Sequence, residues 1–225
     1  MTKVVKEYEE RKRELLETAR NLFFSKGYDK TSVNDIITTV GIAKGTFYHY
    51  FNTKEDLLDE LINQMADTIN TGLKDVVASP GKNAIEKLNR FFSFAGDYKL
   101  ANKETVIITA MVMHRPENLL FRKKLESIYL HTSSVLLAEL IRQGVDEKLF
   151  DTPFPDLVPH MLLAMGVHLR DEFAKLLQNK NRTDEEIDLF CKGYLMYQNA
   201  IERILGAPNG SISFVTEKLI RSFFN

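Results

Sequence analysis

Lys44, Thr46, Tyr48, His49, Tyr50 and Lys54, all able to hydrogen-bond to phosphate oxygens or base edges, crowd into residues 44–54 of the stretch GIAKGTFYHYFNTK (41–54). Lysine and threonine donate to either kind of acceptor, and a tyrosine hydroxyl reaches phosphate without the entropy cost of a long flexible chain. Gly45 among them lets the backbone approach a partner closely. Together these residues point to duplex DNA read by a short helix. Reaction chemistry is not signalled elsewhere. There is no Ser-His-Asp spacing, metal motif or phosphate-cradling glycine loop, so no catalytic residue, cofactor or metal is expected and the chain does not read as an enzyme. His168 and Glu172 have a chelating spacing, four apart on one predicted helix, but no third ligand matches it. The single cysteine, Cys191, falls on an apolar helical stripe and reads as a small buried hydrophobe.

The elements that must position the 44–54 group are helices. Apolar residues recur at three- and four-residue spacing nearly everywhere, without strand alternation, so the fold class is all-α. A first helix is expected from about Tyr8 to Lys26, with Leu15, Ala19, Leu22 and Phe23 on its buried face and Gly27 ending it. Thr31 and Ser32 offer an N-cap to a short helix, Val33 to Val40, which Gly41 closes. A second short helix follows from Lys44 to Phe51. Thr53 then caps a long helix reaching Ala78, with Glu55 and Asp56 in its first turn where the macrodipole favours them. Two short helices joined by a glycine turn form a helix-turn-helix, in which the second lies in the major groove and the first braces it. Ile36, Ile42 and Phe47 are spaced to point inward, leaving Lys44, Gly45, Thr46, Tyr48 and His49 outward.

Charge sets a boundary on this reading. The 225-residue chain has a net charge of −1, so any DNA site must be a local patch. Between Arg20 and Lys54, five basic residues face two acidic ones, leaving +3. Near the N-terminus Lys3, Lys6, Arg11, Lys12 and Arg13 interleave with glutamates and read as a solvated helix face. The charged N-terminus, the absence of a run long enough to span a bilayer and the lone cysteine together predict a cytoplasmic protein.

In its opening helix (LLETARNLFFSKGYDKTSV), its reader (GIAKGTFYHYF) and the following NTKEDLL, the chain resembles the tetracycline-repressor (TetR) family of transcriptional regulators. The resemblance implies a DNA-binding domain over 1–54 and a larger ligand-binding and dimerisation domain over 55–225. It implies that Lys44, Gly45, Thr46 and His49 face the groove, that Tyr48, Tyr50 and Lys54 contact phosphates, and that Thr31 and Ser32 open a bracing helix that also meets the DNA backbone. Two positions depart from the family pattern. Ile37 stands where a small residue is usual at the helix crossing, and Ala43 stands where a capping residue is usual, which removes about 1 kcal/mol of capping.

Beyond Ser79-Pro80-Gly81 the periodicity predicts five or more further helices. They include an apolar run, Val106 to Met113, a long helix starting near Pro116, then Asp156 to Gln178, Thr183 to Leu205, and a last one carrying Ile212, Val215, Leu219 and Phe223. Phe91, Phe94 and Tyr98 form a second apolar stripe beside the core stripe of their helix, and Met111 and Met165 add pliable surface. With His114, Tyr129 and His168 as polar members, these residues are the candidates for a small-molecule pocket. The helices over 156–178 and 183–205 are expected to form a homodimer interface, the first being apolar on several faces. The function expected is a ligand-responsive regulator, most simply a repressor that binds a palindromic operator and is released by a largely apolar effector. The alternative is a helical ligand-binding or scaffold protein with no DNA recognition.

Overall fold

Short capped helices at the N-terminus and long amphipathic ones behind them follow from where the chain places its caps and glycines. A computed structural model describes residues 3–101, 110 and 112–224. In chain order the helices are α1 (Lys3–Ser25), α2 (Val33–Val40), α3 (Lys44–Tyr50), α4 (Lys54–Ala78), α5 (Ala84–Ala101), α6 (Leu119–Asp146), α7 (Val158–Gln178), α8 (Asp184–Leu205) and α9 (Glu217–Arg221), with one 3-10 turn, Pro116–Asn118. No strand occurs among the described residues. Most of the expected run Val106–Met113 lies outside them, as does Met111. The side chains of Ile69 and Tyr98 also lie outside.

Two compact units form. The first joins Met1–Asp67 to Val112–Leu125, and the second joins Thr68–Met111 to Glu126–Asn225. The expected boundary at 54/55 falls at the start of α4, within the first of these units.

In the first unit, α1 ends where Gly27 takes a left-handed φ of 98° and returns its N–H to the Phe23 carbonyl. Leu15, Leu16, Ala19 and Phe23 of α1 are buried with Ile36, Phe47, Leu57, Leu58, Ile62 and Phe121. The 112–118 segment is tied to the end of α1 by Asn118, which is fully buried. Its Oδ1 accepts from the Tyr28 N–H at 2.7 Å. Its Nδ2 donates to the carbonyls of Phe23 at 3.2 Å and Val112 at 3.0 Å. The Glu117 carbonyl accepts from the Asp29 N–H. Glu117 Oε1 also pairs with Lys30 at 2.5 Å, and Lys124 pairs with Glu55 and Asp59 of α4.

The second unit has one main core, built on Leu73, Leu88, Phe91, Leu137, Leu140, Ile141, Leu162 and Ile201. The Thr183 capping box with Glu186 starts α8, and Gly206 in the left-handed region ends it. Cys191 is buried in a smaller cluster with Ile187, Phe190 and Ile220, and burial pushes its thiol pKa up.

The C-terminal segment departs from expectation. Ile212 and Val215 lie outside any helix, and only Glu217–Arg221 coil. Two buried side chains of α8 hold this strap. Gln198 Oε1 accepts from the N–H groups of Phe214 and Val215, and Glu202 Oε1 accepts from that of Ile212. Asn89 of α5 adds a bond in each direction, to the Ser211 carbonyl and from the Ser213 N–H. These partners answer the backbone donors of 212–215, so helix formation there is unnecessary.

Candidate nucleic-acid interface

α2 begins with a complete capping box. Ser32 Oγ accepts from the Asp35 N–H at 3.0 Å, and Asp35 Oδ2 accepts from the Ser32 N–H at 2.7 Å. Lys26 also lies 2.8 Å from the Asp35 carboxylate. Hydrogen bonds from Lys26 first, then Ser32, hold that carboxyl well below the usual range. The helix stops at Gly41, whose φ of 77° lets its N–H return to the Ile37 carbonyl. Ile42 and Ala43 complete the turn into α3. Ala43 makes no side-chain cap, as the sequence implied.

Within α3 only Phe47 is fully buried. It anchors the helix beside Ile36 and Ile37, both buried, while Ile42 is half-buried. Lys44, Gly45, Tyr48 and His49 are exposed and Thr46 is half-buried. A Cβ at Gly45 would meet nothing within 4 Å, so the backbone there is open to a close partner. The α3 face that sequence spacing turns outward is thus exposed at Lys44 and Gly45, and Tyr48 is 48% exposed.

Tyr50 and His49 are braced by a residue the sequence reading did not single out. Tyr8 of α1 stacks on Tyr50 with ring centroids 4.7 Å apart and meets His49 edge-on at 5.9 Å. The available signal was a lone aromatic residue in the charged opening of α1.

Two residues expected at the DNA backbone make intramolecular bonds. Lys54 Nζ donates to the carbonyls of Tyr28 at 2.8 Å and Thr31 at 2.9 Å, and it lies 4.0 Å from the Tyr28 ring centroid. Burial lowers its pKa. With two of three N–H groups occupied, Lys54 fastens the α1–α2 turn to the start of α4. Thr31 is buried and donates its hydroxyl to the Gly27 carbonyl at 2.7 Å, so it braces the same turn from inside. Ser32 stays exposed at the N-terminus of α2.

Of the pocket candidates, Met111 and the side chain of Tyr98 lie outside the described residues. His114 belongs to the first unit and Phe91, Phe94, Tyr129, Met165 and His168 to the second. Phe91 is buried in the core, with Phe94, Tyr129 and Met165 packed against it. His168 is exposed on α7, because α7 turns Leu162, Leu163 and Val167 inward instead. No group of three or more metal-binding side chains occurs among the described residues, and no described helix is long and apolar enough to cross a membrane.

Residues 15–61 match the bacterial regulatory proteins of the tetR family. The chain is 36% identical over 92 residues to the HTH-type transcriptional repressor KstR2 of Mycobacterium tuberculosis, a match that covers 41% of this chain and 46% of that protein. The chain thus spans about half the length of that relative. It is 30% identical over 138 residues to the fatty acid metabolism regulator protein of Bacillus subtilis, covering 58% of this chain and 68% of that one. Its fold is similar to a TetR-family transcriptional regulator from Pectobacterium atrosepticum (TM-score 0.61, 16% identity, 93% and 100% of the two chains). It is also similar to the regulator FadR from Bacillus subtilis solved with stearoyl-CoA (TM-score 0.58, 21% identity, 82% and 96%). From the helix-turn-helix geometry, the match over its core and the extended similarity to the Bacillus subtilis regulator, the chain belongs to the tetR family of bacterial regulatory proteins.

Proposed function

We propose that this protein is a ligand-responsive, DNA-binding transcriptional repressor that acts as a homodimer on a palindromic operator. The observation that carries the reading is the open face of α3. Lys44, Gly45, Tyr48 and His49 are exposed on a helix whose inner side is locked by Phe47. One such helix reads only a few base pairs, and two on a symmetric dimer gain affinity by meeting half-sites about one helical turn apart. The exposed apolar residues Met161 on α7 and Leu189 and Met196 on α8 supply a surface for that pairing. The protein works in the cytoplasm, where its DNA is, and carries out no turnover.

A small, largely apolar effector enters the second unit and favours a state with the readers displaced, as binding to one state better than the other requires. KstR2 is named a repressor, and the Bacillus subtilis relative is named for fatty acid metabolism; these names fit an apolar effector. Helices α4 and α6 contribute residues to both units and are the connections through which the effector acts. The Asn118 bonds put the end of α1 under the same influence.

The test is binding to the DNA beside the protein's own gene, against shuffled DNA, at two salt concentrations. Native DNA is expected to bind specifically, with a steep salt slope. Lys44→Ala is expected to lower that slope by about 1, and Tyr48→Phe to weaken binding by about 1 kcal/mol without changing it. Equal binding of native and shuffled DNA, followed by no enriched fragment in a genome-wide selection, would leave the scaffold alternative standing.

A further inference from the structure

A guanidinium of the second unit lies over an aromatic ring. Arg170 of α7 is half-buried, with Cζ 5.9 Å from the ring centroid of Tyr129 on α6. Among the described residues no acid pairs with it. The two acids that follow it are otherwise engaged: Glu172 binds Lys175 at 2.6 Å, and Asp171 has a partner of its own. Leu130, Met165 and Leu169 around this place are packed against the apolar core. A cation in such surroundings is costly unless an anion joins it.

The polar groups nearby are hydroxyls. Ser133 lies one turn along α6 from Tyr129, is fully buried, and its Oγ has no partner besides the Tyr129 phenol. Tyr194 of α8 lies within the field of both Arg170 and Tyr129. Burial raises the pKa of both phenols, that of Tyr194 to about 12, so both keep their protons at neutral pH. An acceptor-only group, a carboxylate or a phosphate, matches a guanidinium with phenol hydroxyls beside it.

We propose that Arg170, Tyr129, Ser133 and Tyr194 form the head-group site for an effector that carries one anionic group on an apolar body. The proposal rests on the reading of the second unit as the effector half and adds the charge that reading lacks. Arg170 supplies attraction, the hydroxyls supply direction, and Met165 and Leu169 border the apolar part.

The experiment is calorimetric titration of the full-length protein with three ligands of one chain length: decanoate, decyl phosphate and decanol. At least one of the two anions is expected to bind about tenfold or more tightly than decanol, a difference of about 1.4 kcal/mol. Which anion wins identifies the head group. In Arg170→Met that preference is expected to disappear while decanol binding and the thermal midpoint persist. Arg170→Lys retains part of it, and Tyr194→Phe, the milder change, reduces it about threefold. Decanol binding as tightly as both anions in the wild type, no binding of any probe, or a preference that survives Arg170→Met would each overturn the site. Operator binding is measured separately, so that its loss speaks against the repressor reading and not against this one.

Discussion

Lys54 and Lys44 are ten residues apart, the first expected from sequence at a phosphate and the second in the groove, and they answer to different physics. The Lys44 side chain is exposed, whereas the Lys54 ammonium is enclosed by two carbonyls and a ring. Lys54→Met is therefore expected to destabilise the protein by about 1–3 kcal/mol through the unpaired carbonyls, read by urea unfolding. A pure phosphate contact would leave stability alone and lower the salt slope of DNA binding by about 1. Lys44 was legible because an exposed helical position needs only local spacing to assign. The role of Lys54 was not legible, because it depends on carbonyls of a turn more than twenty residues upstream. The tyrosines of the second unit make a separate prediction. Burial raises Tyr194 to about 12 and Tyr197 further, above their ordinary value of 10.0. Folded pKa values above unfolded ones give stability that is complete below pH 10 and lost as pH rises through 12. Tyr194→Phe is expected to flatten that alkaline loss in unfolding titrations between those limits.

Helix ends were the most legible elements. Ser32, Thr53 and Thr183 cap where their spacing to Asp35, Asp56 and Glu186 says they should, and Gly41 and Gly206 stop their helices in the left-handed region. These are local arrangements that a linear reading captures. The uncapped start of α3 at Ala43 is equally local, and it makes a prediction. Ala43→Ser is expected to stabilise the helix-turn-helix by about 1 kcal/mol, raising the thermal midpoint by about 2–4 °C; no rise would mean that α3 is held by Phe47 alone. The strap over 211–216 was misread as helix for the opposite reason. Gln198 and Glu202 looked like an ordinary polar flank of α8, and nothing nearby in sequence announces that they accept from backbone donors ten to seventeen residues away.

At the scale of the molecule, α7 and α8 pack together and leave Met161, Leu189 and Met196 62%, 72% and 70% exposed. Large apolar side chains exposed to that degree on neighbouring helices are expected to be covered by a second copy. Leu189→Glu should convert a dimer to a monomer in light scattering and weaken operator binding; unchanged mass would exclude α8 from the interface. The apolar character of the 156–178 segment was readable from composition, but which of its residues face outward depended on α8 and the core beneath. The grouping of 112–125 with the first sixty-seven residues had no sequence signal at all, since it rests on the buried bonds of Asn118.

Gly27 sits at that same junction, with a φ of 98° that side chains resist, and an added Cβ would stand 2.7 Å from Cβ of Glu117. It is constrained twice over, by its own backbone and by its neighbour. One carbon atom there would act as a wedge between the end of α1 and the 116–118 turn. A genetic selection for alleles that no longer respond to effector should therefore recover substitutions at residue 27 of many chemical kinds, alike in outcome because the damage comes from having any side chain and not from which one.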